Sequence, residues 1–242
     1  MRKAYHPNLF TTVPWHQVLD ADGDFPALVN AALTARGTVD RVCVDRWLAI
    51  HECLRSAAIA DPTVLDLGCS SGIFSVLMRL AMAREVTAVD DGSALSAGYG
   101  SESVLEGMEA SIRTIGLRGV LPVRSKVESF VASAAASGQR WDVVLCMGLL
   151  HHLLRGYGDR MEHAPLSSAD FDRFLEELGT CVGLCLWLEV DETRVGDPEA
   201  FYARVQQQTG LPHLLIAALT CSGPGRPRRL MCLSRTPMRG SA

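Results

Sequence analysis

Thr63-Val64-Leu65-Asp66-Leu67-Gly68-Cys69-Ser70-Ser71-Gly72-Ile73-Phe74-Ser75 is the stretch on which the reading of the chain turns. Val64 to Leu67 form a short apolar run that ends in a glycine-rich turn. Ile73, Val76, Leu77 and Leu80 then recur at helical spacing. The pattern is strand, tight turn, helix. Gly68 and Gly72 allow positive φ and a close approach of the backbone to a ligand. The N–H groups that open the following helix suit a polar or anionic group. Downstream, Glu85 to Val89 reads as a second strand and ends on Asp90 and Asp91.

Asp90 lies 22 residues after Gly68 (90 − 68), near the roughly 20 residues that separate turn and ribose-binding acid in the dinucleotide fingerprint. Two details argue against NAD. The third glycine of G-x-G-x-x-G is replaced by Ile73, and Asp66 stands inside the motif, where an acid suits a cationic ligand better than a pyrophosphate. Asp66 to Gly72 instead resembles motif I of the class I S-adenosylmethionine (SAM) dependent methyltransferases, D/E-x-G-x-G-x-G. Ser70 replaces the middle glycine, a departure also found in the family, notably in relatives of the tRNA wobble-uridine carboxymethyltransferase.

The resemblance covers residues 62–235 and implies SAM as cofactor, with Gly68, Cys69, Ser70 and Gly72 forming the binding turn. It implies Asp66 near the methionine end, often through water, and Asp90 on both ribose hydroxyls, with Asp91 competing for that role. Val127, preceded by Ser125 and Lys126 and followed by Glu128, occupies the place where the family lines the adenine, without the usual Asp. The run Asp142-Val143-Val144-Leu145-Cys146-Met147-Gly148-Leu149-Leu150-His151-His152 resembles motif IV. The resemblance implies Cys146 and Met147 beside the sulfonium. A neutral His151 or His152 is the candidate general base toward a substrate hydroxyl or amine, although many members carry His here, which also suits pocket shaping. Glu189 and Asp191 are read as lining the substrate mouth. No metal is expected, because adjacent histidines seldom chelate one ion and no H-x-x-x-H spacing exists.

From Thr63 onward strands and helices alternate, the mark of a mostly parallel sheet with helices on both faces. Strands are expected at 64–67, 85–89, 120–123, 141–147 and 183–190, and helices at 72–83, 103–115, 128–136, 169–178 and 198–208. Residues 93–100 read as a loop. Two late strands, 214–220 and 229–234, flank a turn at Gly223-Pro224-Gly225. The fold class is therefore α/β: a Rossmann-like class I methyltransferase fold with a mostly parallel seven-stranded sheet and an antiparallel last strand. Residues 1–61, with helices at 26–36 and 39–59, read as an N-terminal arm and helical cap or lid, and 62–242 as the SAM-binding core.

Composition narrows the function. Hydrophobic residues make up 48 % of the 242, enough for a substantial core. The net charge of −4 disfavours a phosphate-tracking partner, so nucleic acid is not expected. No run approaches the ~18 apolar residues of a membrane span, and the first residues lack a signal-peptide core. The eight cysteines include no C-x-x-C pair and read as reduced, buried thiols. The expectation is a cytoplasmic enzyme of specialised metabolism that moves a methyl group from SAM to an O or N atom of a small-molecule acceptor; oligomeric state is left open. One alternative consumes SAM without methylating, by cyclisation or aminocarboxypropyl transfer, and releases methylthioadenosine. A remote alternative reads Gly68 to Gly72 as the G-x-S-x-G elbow of a Ser hydrolase with Ser70 as nucleophile and Asp142 and a later His as partners.

Overall fold

The computed structural model describes residues 42–70, 72–92, 104–114, 116–156, 164–221 and 227–238. The helix expected at 26–36, the rest of the arm and the loop at 93–100 lie outside these residues. Seven strands form one sheet: β1 (Thr63–Leu67), β2 (Glu85–Asp90), β3 (Val120–Arg124), β4 (Trp141–Met147), β5 (Val182–Glu189), β6 (His213–Cys221) and β7 (Pro227–Ser234). Their order is β3-β2-β1-β4-β5-β7-β6. The first five are parallel, and β7 runs antiparallel between β5 and β6. This is the doubly wound sheet that the sequence implied.

Strands β1 and β4 are apolar on both sides because helices cover both faces. Along β4, Val143 and Leu145 join one core cluster, while Val144 and Cys146 join the other. The first cluster packs the sheet against α1 (Val42–Ser56), α2 (Ile73–Ala81) and α3 (Val104–Thr114). The second packs it against α4 (Val127–Ala136), α5 (Leu150–Arg155), α6 (Ser168–Cys181) and α7 (Pro198–Thr209). Trp47, Ile50 and Leu54 of α1 are wholly buried among Phe74, Leu77 and Trp187, and α1 rests on α2 and β6. This helix is thus a layer of the core, and residues 1–41 of the expected arm and cap lie outside the described residues.

Local chemistry sets the helix ends. Asp197 Oδ1 accepts from Glu199 N and Ala200 N at 3.0 and 3.2 Å, with Pro198 opening α7. Ser167 Oγ caps α6 through Asp170 N. Among the described residues, the one helix that sequence periodicity missed is α5, where the six residues that follow Leu149 are too short to show a period. A 3₁₀ turn at Glu192–Arg194, also missed, follows β5. Among the described residues no helix is long and apolar enough to cross a membrane.

The chain geometry places the turns after β1 and after β4 at the carboxyl edge of the sheet. Asp142 lies at the opposite edge, where its Oδ2 accepts from Thr63 N at 2.8 Å and Thr63 Oγ1 at 2.9 Å. Asp142 therefore cannot serve a triad with Ser70, and the hydrolase alternative is withdrawn.

Helices α6 and α7 meet at Gly179, where any Cβ would collide with the Thr209 carbonyl, while Gly107 in α3 has open space around it. Gly179→Ala should cost about 1–3 kcal/mol of stability through overpacking. Gly107→Ala should instead add about 0.5–1 kcal/mol by restricting the unfolded chain. Urea denaturation of both variants checks this pair; equal effects would contradict the packing described.

Candidate active site

The turn after β1 is held from the end of β2. Gly68 N and Cys69 N both donate to Val89 O, at 2.9 and 3.0 Å. Ser70 N donates to Asp90 Oδ2 at 3.0 Å, and Gly92 N donates to Asp90 Oδ1 at 2.8 Å. Gly68, Ser70 and Gly72 take φ of 69°, 50° and 77°, the left-handed region. Glycine is needed twice for space as well: a Cβ at Gly72 would collide with Met108, and one at Gly68 would lie 3.2 Å from Leu149 Cδ1. The turn thus brings β1, β2, α3 and the start of α5 into one constellation.

A cleft opens over this turn. Its walls include Gly68, Asp90, Asp91, Lys126, Val127, Glu128, Leu149, His152, Leu153, Ala164 and Leu166. Apolar Val127, Leu153 and Leu166 suit an aromatic base, and each Asp90 oxygen keeps a lone-pair direction beyond its backbone bond for a ribose hydroxyl. Burial pushes the Asp90 carboxyl above its usual value, opposed by its two backbone N–H donors. Asp66 lies behind the turn in the core, not in the cleft wall. It accepts from Ser75 Oγ at 2.6 Å, and burial pushes its carboxyl up to about 6, the Ser75 bonds only partly offsetting this. Cys69 is buried beside it, its thiol likewise raised by burial.

Two sequence expectations at motif IV need correction. Cys146, expected beside the sulfonium, is wholly buried in the cluster of Leu65, Leu67 and Leu188. Strand alternation turns it away from the face that carries Met147, which is partly buried at the edge of the other cluster. The second correction concerns the histidines as bases. His151 Nδ1 accepts from Asp191 N at 3.4 Å. His152 Nδ1 lies 3.4 Å from Arg194 Nη1, and since a guanidinium only donates, that Nδ1 accepts. A neutral imidazole with an accepting Nδ1 carries its proton on Nε2 and has no lone pair there. Burial first, then neighbouring His152, Arg228 and Arg194, lowers His151 to about 3. Burial and Arg194 lower His152 to about 4. Both rings are therefore neutral N–H donors at pH 7, tilted against each other with centroids 4.2 Å apart.

Glu189 does not line a mouth. It is fully buried and ion-paired on both sides, with Arg46 of α1 and with Arg228 Nη1 of β7 at 2.7 Å. Its main-chain oxygen accepts from Gly148 N at 2.8 Å. Asp191 caps the 3₁₀ turn, its Oδ1 accepting from Thr193 N and Thr193 Oγ1 at 3.1 and 2.6 Å. Arg155 of α5 donates to the Arg194 carbonyl at 3.0 Å and ties that turn to α5. Sequence reasoning missed Arg46, Arg194 and Arg228. For Arg228 a signal existed: the first residues of an antiparallel β7 must lie at the carboxyl end of β5, where Arg228 meets Glu189. Among the described residues no three His, Cys, Asp or Glu gather into a group that could hold a metal ion.

The raised Asp66 carboxyl has a measurable consequence. The native state keeps a proton that the unfolded chain has lost between pH 3.8 and about 6, so stability falls as pH rises through that window and levels off above it. Relative to Asp66→Asn, the ligand-free protein should lose up to about 3 kcal/mol between pH 4 and pH 7. Urea unfolding of both proteins across this range checks the difference; parallel pH profiles would contradict a buried, strained carboxylate.

Comparison with known proteins fits this geometry. Residues 44–159 match a family model described as a methyltransferase domain. No curated protein matches the chain. A SAM-dependent methyltransferase from Agrobacterium tumefaciens superposes with a TM-score of 0.56 at 14 % identity, covering 80 % of this chain and 62 % of that one. The bifunctional kinase-methyltransferase WbdD gives 0.58 at 16 %, covering 86 % and 46 %. SMU.776, solved with S-adenosylhomocysteine (SAH), gives 0.53 at 14 %, covering 76 % and 48 %. At these identities the three superpositions speak for the fold, and the chain spans less than two thirds of each structure's length. Residues 44–159 thus carry a methyltransferase domain, and the motif I turn, the acid ending β2 and the reversed β7 resemble those of the class I SAM-dependent methyltransferases.

Proposed function

We propose that the protein transfers the methyl group of SAM to an oxygen or nitrogen atom of a small-molecule acceptor. The observation that carries this reading is a single cleft that joins Gly68, Asp90 and Val127 to His152, which is in contact with Arg194. The nucleoside would lie between Asp90 and Val127, and the sulfonium would point past Leu149 toward the histidines. Methyl transfer asks for in-line positioning and exclusion of water more than for acid–base chemistry. The lack of a basic nitrogen at His151 and His152 is therefore compatible with it.

The small size of the acceptor is supported by the acidic net charge, which favours neither nucleic acid nor an anionic membrane surface. A reducing, cytoplasmic setting is supported by Cys69, Cys146, Cys181, Cys185 and Cys232, all buried thiols. SAM-consuming reactions that release methylthioadenosine would use the same cleft, and by-product analysis separates them.

Two measurements test the reading. SAM and SAH should bind in calorimetric titration, and Asp90→Ala should weaken both by about 2–3 kcal/mol through loss of charge-assisted hydrogen bonds. Unchanged affinity would move the ribose elsewhere. In turnover with a panel of hydroxy, amino and carboxy acceptors, SAH should be the by-product. Methylthioadenosine instead would contradict methyl transfer.

A further inference from the structure

We propose that the acceptor group is an oxyanion, a carboxylate or phosphate ester, received by Arg194 and Arg228 beside the histidine pair; the proposal rests on the methyltransferase reading above. Three guanidinium groups, Arg46, Arg194 and Arg228, gather at the carboxyl ends of β4 and β5 against two carboxylates, Glu189 and Asp191. Arg229 at the same end is matched by Glu192 and Glu199, so the guanidinium groups beside the histidines are Arg194 and Arg228. Arg228 stands over the backbone that follows β4: a Cβ at Gly148 would lie 3.6 Å from its Nη1. Arg194 reaches His152, which is itself a wall of the cofactor cleft. The Asp191 carboxylate is turned to its own cap, where Oδ1 serves Thr193 twice. Cations and the Nε2–H groups of neutral imidazoles are what an oxyanion recognises.

The hydrogen bonding of the histidines points the same way. An alcohol or ammonium acceptor must lose a proton, and here both imidazoles accept at Nδ1 and hold their proton at Nε2. An ionised oxygen needs no base. Its lone pair attacks the methyl carbon in line with the C–S bond. The O–C bond forms, and the C–S bond breaks with its electron pair left on sulfur. One negative charge and the sulfonium charge disappear together, giving a methyl ester and SAH, and no proton leaves. Charge annihilation of this kind is favoured where water is excluded.

The test is a calorimetric titration of the SAH-saturated full chain with inorganic phosphate and, separately, with acetate. At least one anion should bind without displacing SAH, and the preference between them distinguishes a phosphate ester from a carboxylate acceptor. Arg194→Gln, at a half-exposed position in a surface turn, should weaken that binding about tenfold while SAH still binds. If SAH binds and neither anion does, the proposal fails and the methyltransferase reading stands. It fails also if an anion binds equally to Arg194→Gln. It fails if the anion competes with SAH, for the arginines then hold the carboxylate of the cofactor itself. Absence of SAH binding would overturn the cofactor reading first. The wild-type measurements decide these outcomes even if the variant folds poorly.

Discussion

The carbonyl of Val89 accepts two hydrogen bonds from the turn after β1, from Gly68 N and Cys69 N. Much of the site follows from this one contact. It fixes the turn to the end of β2, so that the next residue, Asp90, takes Ser70 N on one oxygen and Gly92 N on the other. The chain makes this turn with three residues at positive φ, two of them glycines whose added Cβ would press on Leu149 or collide with Met108. The glycines answer a steric demand set by Leu149 and Met108 as much as a conformational one. Backbone strain at Ser70, on the order of 1 kcal/mol or more for a non-glycine residue, is held in place by the Asp90 bond.

A second constraint acts at the other side of the cleft. Glu189 is fully buried, and a lone carboxylate there would be prohibitive. Arg46 from α1 and Arg228 from β7 neutralise it. Elements from two distant parts of the chain are thereby tied to the end of β5. Such buried ion pairs add little net stability compared with apolar packing, yet removing one partner is severe. Their value here is placement: the arrangement brings Arg228 next to His151 and His152 of α5. The Asp191 N–His151 bond and the Arg155–Arg194 bond then lock the 3₁₀ turn against α5.

Sheet and cofactor turn were legible because each rests on local pattern. Alternating strand and helix runs, Gly68, Gly72 and the spacing to Asp90 are all visible within a few dozen residues. The side that carries His151 and His152 was legible only in part. His151 and His152 stood out, but their protonation depends on Asp191 and Arg194, which lie some 40 residues away. The face on which Cys146 falls depends on strand phase, and a one-residue error reverses it. Arg46 and Arg228 belong to elements whose neighbours emerge only from sheet order, since β7 inserts between β5 and β6. Short elements such as α5 carry too few residues for periodicity to register.

The central claim is that the cleft between the β1 turn and α5 holds the cofactor nucleoside. A crystal structure of the full chain with SAH tests it most directly. The predicted result places the adenine against Val127 and Leu153, with the ribose hydroxyls on the Asp90 carboxylate and the sulfur beside Leu149 on the path to His152. SAH bound outside this cleft, or a ribose with no contact to Asp90, would contradict it.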